Sequence, residues 1–147
     1  MQSIIEHFRV VTCVNQKCLD ALKCLLAENG FRIFELDGAS IGDKISLFVK
    51  AGEHLPHENG LIARNSWDAL IDTLWGGLAE LNAERVAFIW THAEKMLEHS
   101  LTDMLIANDC FQHLASEVAT TEHGFPHPML LKIFLVGVGE NFPALAT

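Results

Sequence analysis

The chain has 147 residues, half of them hydrophobic and a fifth charged, which suits one globular domain with a buried core. Its formal net charge of −9 argues against a nucleic-acid binder, which needs Lys and Arg to neutralise phosphates. No apolar run reaches the length of a membrane span. The opening MQSIIEHFRVVTCV is interrupted by Glu6, His7 and Arg9 and does not read as a signal peptide, so a cytoplasmic location is expected.

In chain order, the β-branched run HFRVVTCV (7–14) predicts a strand. NQKCLDALKCLLAENG (15–30) predicts a helix, with Asn15 as N-cap, Gly30 just past its end, and Cys18, Leu19, Leu22, Leu25 and Leu26 at helical spacing. FRIFELDG (31–38) predicts a strand that stops at the turn signal Asp37-Gly38. GDKISLFVKAGEHL (42–55) predicts a helix with Ile45, Phe48, Val49 and Leu55 inward. PHENGLIARNS (56–66) is a loop, and a helix follows from 66 to about 81.

RVAFIWTHA (85–93) is apolar almost throughout and predicts a central strand. Residues 93–122 hold helix, broken near Ser100, with Met104, Leu105, Phe111, Leu114 and Val118 for a core face. MLLKIFLVGVG (129–139) predicts the last strand. Strands alternating with helices imply an α/β fold with a mainly parallel sheet. Cys13, Cys18, Cys24 and Cys110 form no C-x-x-C pair and are expected as buried free thiols.

The helix NSWDALIDTLWGGL carries the sharpest signal. At about 100° per residue, Trp67, Leu70, Ile71, Leu74, Leu78 and Leu81 form the core stripe. Asp68, Asp72 and Ala79 group away from it, with Trp75 near the boundary and Gly76 on the other edge of the acidic strip. Asp68 follows a cap at Asn65 or Ser66, where a carboxylate suits the helix N-terminus in any case. Asp72 has no such local reason: Asp is a poor mid-helix residue, no Lys or Arg stands at i±4, and Asp68 is a like charge one turn away. Gly76-Gly77 either ends the helix or lets another surface approach its backbone.

The run WDALIDTL resembles the barstar family of intracellular ribonuclease inhibitors. FELDGASI, DKISLFVKAGEHLP, VAFIWTHAEKM and MLLKIFLVGV resemble that family's other elements in the same order, so the likeness covers about Phe31 to Val138. It implies a small three-stranded parallel sheet packed with helices, here with residues 1–30 as an N-terminal β-α extension on the same domain and 31–147 as the barstar-like domain. It implies that this helix and the loop before it plug a ribonuclease active site, with carboxylates in the place of substrate phosphate. Asp68 and Asp72 stand at the two inhibitory aspartates, and Gly76 at a contacting glycine. Ile62 stands where the family has a contacting tyrosine, Arg64 where it has a glycine, and Gly77 where it has a tryptophan, Trp75 lying two residues earlier. Glu117 corresponds to a contacting glutamate on a later helix. These departures suggest a nuclease other than barnase, or a shifted binding mode.

The resemblance therefore implies a non-enzymatic immunity protein that binds a basic nuclease toxin one to one as a monomer, without cofactor, metal, membrane or nucleic acid. Two alternatives stand beside it. One is a barstar-fold regulatory module with a non-nuclease partner, favoured by Ile62 and Arg64. The other is a small metal-dependent enzyme using C-terminal histidines such as His123 and His127, although no recognised ligand spacing appears.

Overall fold

The computed structural model describes residues 9–58 and 66–143. Among them, strand β1 (Val11–Asn15) passes through a 3-10 turn at Gln16–Cys18 into helix α1 (Leu19–Glu28), then strand β2 (Arg32–Asp37). Helix α2 (Lys44–His54) and helix α3 (Trp67–Ala79) follow, then strand β3 (Arg85–Thr91). Helices α4 (Glu94–His99) and α5 (Leu101–Val118) lead to strand β4 (Leu130–Gly137). The expected break falls at Ser100, between α4 and α5, where ψ is 77°.

The strands form one sheet in the order β1-β4-β3-β2, every neighbouring pair parallel. β3 and β4 are central, and their nearly unbroken apolar runs are buried on both faces, as central parallel strands require. At the β2 edge the pleat divides the side chains. Phe34 and Leu36 turn to one core and Phe31 and Ile33 to the other, while Glu35 pairs with Lys23 of α1 at 2.8 Å.

The sheet has four strands where the resemblance implies three. β2, β3 and β4 are the three, and β1 adds a fourth through a parallel pairing from Val11 opposite Ile133 to Asn15 opposite Gly137. β1 begins later than the sequence suggests, and the expected strand residues 7 and 8 lie outside the described residues. Asn15 does cap, accepting the Lys17 N–H at 2.9 Å, but it opens the 3-10 turn rather than α1 itself.

Each face of the sheet has its own core. α1 covers one face with Leu22 and Leu26, which pack on Ala87, Ile89, Phe134 and Val136. Helices α2 to α5 cover the other, around Phe48, Leu74, Phe88, Trp90 and Phe111. Two expected core residues point outward: Ile45 is 62% exposed and Leu105 is 55% exposed. In α2 the buried row is Leu47, Phe48, Ala51 and Leu55, and Ile45 lies about 100° from its middle. In α5 the buried row runs through Met104, Ala107, Phe111, Leu114 and Val118, and Leu105 lies about 100° from Met104. No described helix is long and apolar enough to cross a membrane.

Candidate functional site: the acidic strip of α3

Ser66 caps α3, its Oγ accepting the Ala69 N–H at 3.1 Å. The alternative cap, Asn65, lies outside the described residues, as do Ile62 and Arg64. Asp68 therefore sits in the first turn, where the helix dipole favours its charge. Beyond the core stripe of Leu70, Leu74 and Leu78, a second buried row runs through Ala69, Thr73, Gly76 and Gly77. Burial on two sides leaves only Asp68 and Asp72 exposed in the whole helix, with Trp67, Ile71, Trp75 and Ala79 half-buried. Asp68 and Asp72 are one turn apart, about 6 Å along the axis. Among the described residues neither enters an ion pair.

Aromatic contacts hold both ends of the helix. Trp67 meets Phe48 edge-on at 5.3 Å, with Lys44 Nζ 5.6 Å from the Trp67 ring centre and 5.8 Å from that of Phe48. Trp75 meets Phe125 edge-on at 5.4 Å, and Phe125 in turn meets His127 at 5.9 Å. Trp75 is thus half-buried by packing, and the helix period sets it on the flank of the aspartates.

The two glycines lie inside the helix, and what approaches them is this chain itself. A Cβ at Gly77 would overlap the His57 backbone nitrogen and the Pro56 carbonyl carbon. A Cβ at Gly76 would overlap the Glu58 side chain at Cγ, Cδ and Oε1. The Glu58 N–H donates to the Thr73 carbonyl at 3.1 Å, which ties the segment to the helix. The expected contacting glycine, Gly76, is therefore buried beneath a carboxylate.

α5 borders the strip. Burial first, then the negative charges of Asp109 and Asp68, push the Cys110 thiol up to about 11. α3 packs directly on α5, and Asp109, the exposed chain neighbour of Cys110, adds its charge from α5 itself. Of the four cysteines only Cys110 is buried; Cys13 and Cys18 are half-buried and Cys24 is exposed, because it lies off α1's inward row. Glu117, farther along α5, is half-buried and lies 3.3 Å from His113 Nε2, its i−4 neighbour.

Glu58 is the acidic neighbour that sequence reasoning missed. The Gly76-Gly77 pair was the available signal for Glu58, since adjacent glycines inside a helix announce a close approach. Among the described residues no three His, Cys, Asp or Glu side chains converge as metal ligands would. His123 is exposed, and His127 is half-buried against Phe125.

Comparison with curated proteins and with solved structures gives no significant match. The family model described as Barstar (barnase inhibitor) matches residues 31–128, from the start of β2 to the turn before β4. With more than half of its length matched, and with a parallel α/β fold around an acid-bearing α3, this chain belongs to the Barstar (barnase inhibitor) family.

Proposed function

We propose that the chain is the immunity protein for a ribonuclease toxin, binding it one to one and occluding its active site without any reaction of its own. The observation that carries this reading is the exposure of Asp72, mid-helix, on a helix otherwise buried on nearly every side. An aspartate there weakens the helix, and its contribution must come from outside the fold. Asp68 and Asp72 share one face, so each can accept a two-pronged hydrogen bond from an arginine in a basic cleft. The net charge of −9 steers such an acidic face toward a basic enzyme.

Trp75, Ile62 and Glu117 are proposed as further partner-binding residues, with Gly76 taking part through the Glu58 side chain that covers it. The proposed setting is the cytoplasm of the cell that makes the toxin, with a monomeric inhibitor in the free state. The proposed unit that does this is the barstar-like stretch 31–147, with residues 1–30 as an extension of the same domain.

A second reading, a regulatory module for a non-nuclease partner, is favoured by Ile62 and Arg64 in place of the family's tyrosine and glycine. One experiment separates the two. Extract of the native cell is passed over the immobilised chain, and the eluate is assayed for ribonuclease activity with and without added inhibitor. Captured activity that is abolished at one equivalent of chain supports the inhibitor. A captured partner without ribonuclease activity transfers the assignment to the regulatory module.

A further inference from the structure

Resting on the inhibitor reading, we infer that Glu58 is a third carboxylate of the partner surface, set in place by the Gly76-Gly77 notch of α3. Following the strip from Asp68 to Asp72, the next position one turn on is Gly76, which has no side chain of its own. The space a side chain would fill there is taken by Glu58 Cγ, Cδ and Oε1. Three contacts fix that placement. The His57 backbone fills the equivalent space over Gly77, the Glu58 N–H is held by the Thr73 carbonyl at 3.1 Å, and His57 Nδ1 lies 2.7 Å from the Leu55 carbonyl.

The row of acids thus continues past the helix's own aspartates with a residue donated by the preceding segment. Positions i, i+4 and i+8 of a helix span about 12 Å along its axis, so the row can meet three cations in line. Glu58 is exposed, as Asp68 and Asp72 are. The partner this fits is a basic protein surface with an additional Arg or Lys beyond the two that face the helix aspartates.

The test uses the full chain and the ribonuclease captured from native extract. Glu58→Gln keeps the size of the side chain and removes its charge. It should weaken binding by about tenfold and flatten the salt dependence of association, with the melting temperature unchanged. Gly76→Ala acts by a second route. Its methyl meets the flexible end of Glu58, not backbone, so the fold is retained while the carboxylate is pushed aside. Gly76→Ala should weaken binding as Glu58→Gln does, and the double variant should be no weaker than Glu58→Gln alone. Wild-type affinity in a folded Glu58→Gln chain overturns the inference. Additive losses in the double variant also overturn it, since Gly76 would then act as a contact in its own right. Absence of any captured ribonuclease, or undiminished binding by Asp72→Ala, overturns instead the reading on which it rests.

Discussion

The backbone N–H of Glu58 donates to the carbonyl of Thr73 at 3.1 Å, fastening the chain ahead of α3 to the middle of that helix. Gly77 makes this possible, because a Cβ there would overlap backbone atoms of Pro56 and His57. Backbone cannot swing away as a side-chain tip can. Gly77→Ala should therefore destabilise the fold by about 1–3 kcal/mol despite alanine's better helix propensity. Gly76→Ala, whose nearest obstacles are all atoms of the flexible Glu58 side chain, should be close to neutral in stability. Urea unfolding of the two variants side by side checks the contrast.

Leu26 is fully buried between α1 and the sheet face formed by Ala87, Ile89, Phe134 and Val136. Leu26→Ala should cost about 2–5 kcal/mol, a lost side chain plus the cavity it leaves. A chain starting at residue 31 would bare those four sheet residues and should bind a hydrophobic dye such as ANS strongly. Denaturant midpoints for the first and dye fluorescence for the second measure how far the N-terminal residues support the rest of the fold.

α2 begins with a reciprocal cap. Asp43 Oδ1 accepts the Ser46 N–H at 3.0 Å, and Ser46 Oγ accepts the Asp43 N–H at 3.1 Å. The Ser46 N–H, and then the Ser46 hydroxyl donating to the same Oδ1 at 2.7 Å, hold the Asp43 carboxyl below its ordinary value. A lowered folded value means that the stabilisation is present above the unfolded pKa and fades as pH falls through the folded one. Asp43→Ala should cost about 0.5–2 kcal/mol at neutral pH. The difference from wild type should shrink in acid, and unfolding curves across pH 7 to 2 report both effects.

Cys110 titrates in the opposite sense. Its thiol, at 9.0 ordinarily, is held at about 11 by burial and by Asp109 and Asp68. Folding thus favours the protonated thiol. Its contribution is complete below the unfolded value and is lost as pH rises through the folded one. Stability should fall between pH 9 and 11, and Cys110→Ala should flatten that fall. At neutral pH an alkylating reagent should label exposed Cys24 first and Cys110 last, which mass spectrometry of timed digests resolves.

The parts of the fold that were legible in the sequence are those decided by local pattern. The apolar runs of β3 and β4, the core stripe of α3 and the break at Ser100 fall where periodicity and breakers put them. Ile45 and Leu105 were misread because a row of leucines and isoleucines at mixed spacing fits more than one helix face. Only packing against the sheet selects Leu47 over Ile45. β1 was legible as a strand, but its partner was not, since pairing with β4 joins residues more than a hundred positions apart. At the site, the Asp68–Asp72 strip was visible on a helical wheel. Gly76 and Gly77 signalled a close approach without naming what approaches, because the docking of residues 56–58 is a tertiary event.

Asp72→Ala tests the central claim most directly. Replacing an exposed mid-helix aspartate by alanine should leave stability unchanged or raise it by a few tenths of a kcal/mol. Against the ribonuclease captured from native extract, the same variant should lose about 2–5 kcal/mol of binding, roughly 30-fold or more in Kd. A titration of ribonuclease activity with wild type and variant, run beside their thermal melts, reads both quantities. A folded Asp72→Ala chain that inhibits as tightly as wild type would contradict the account.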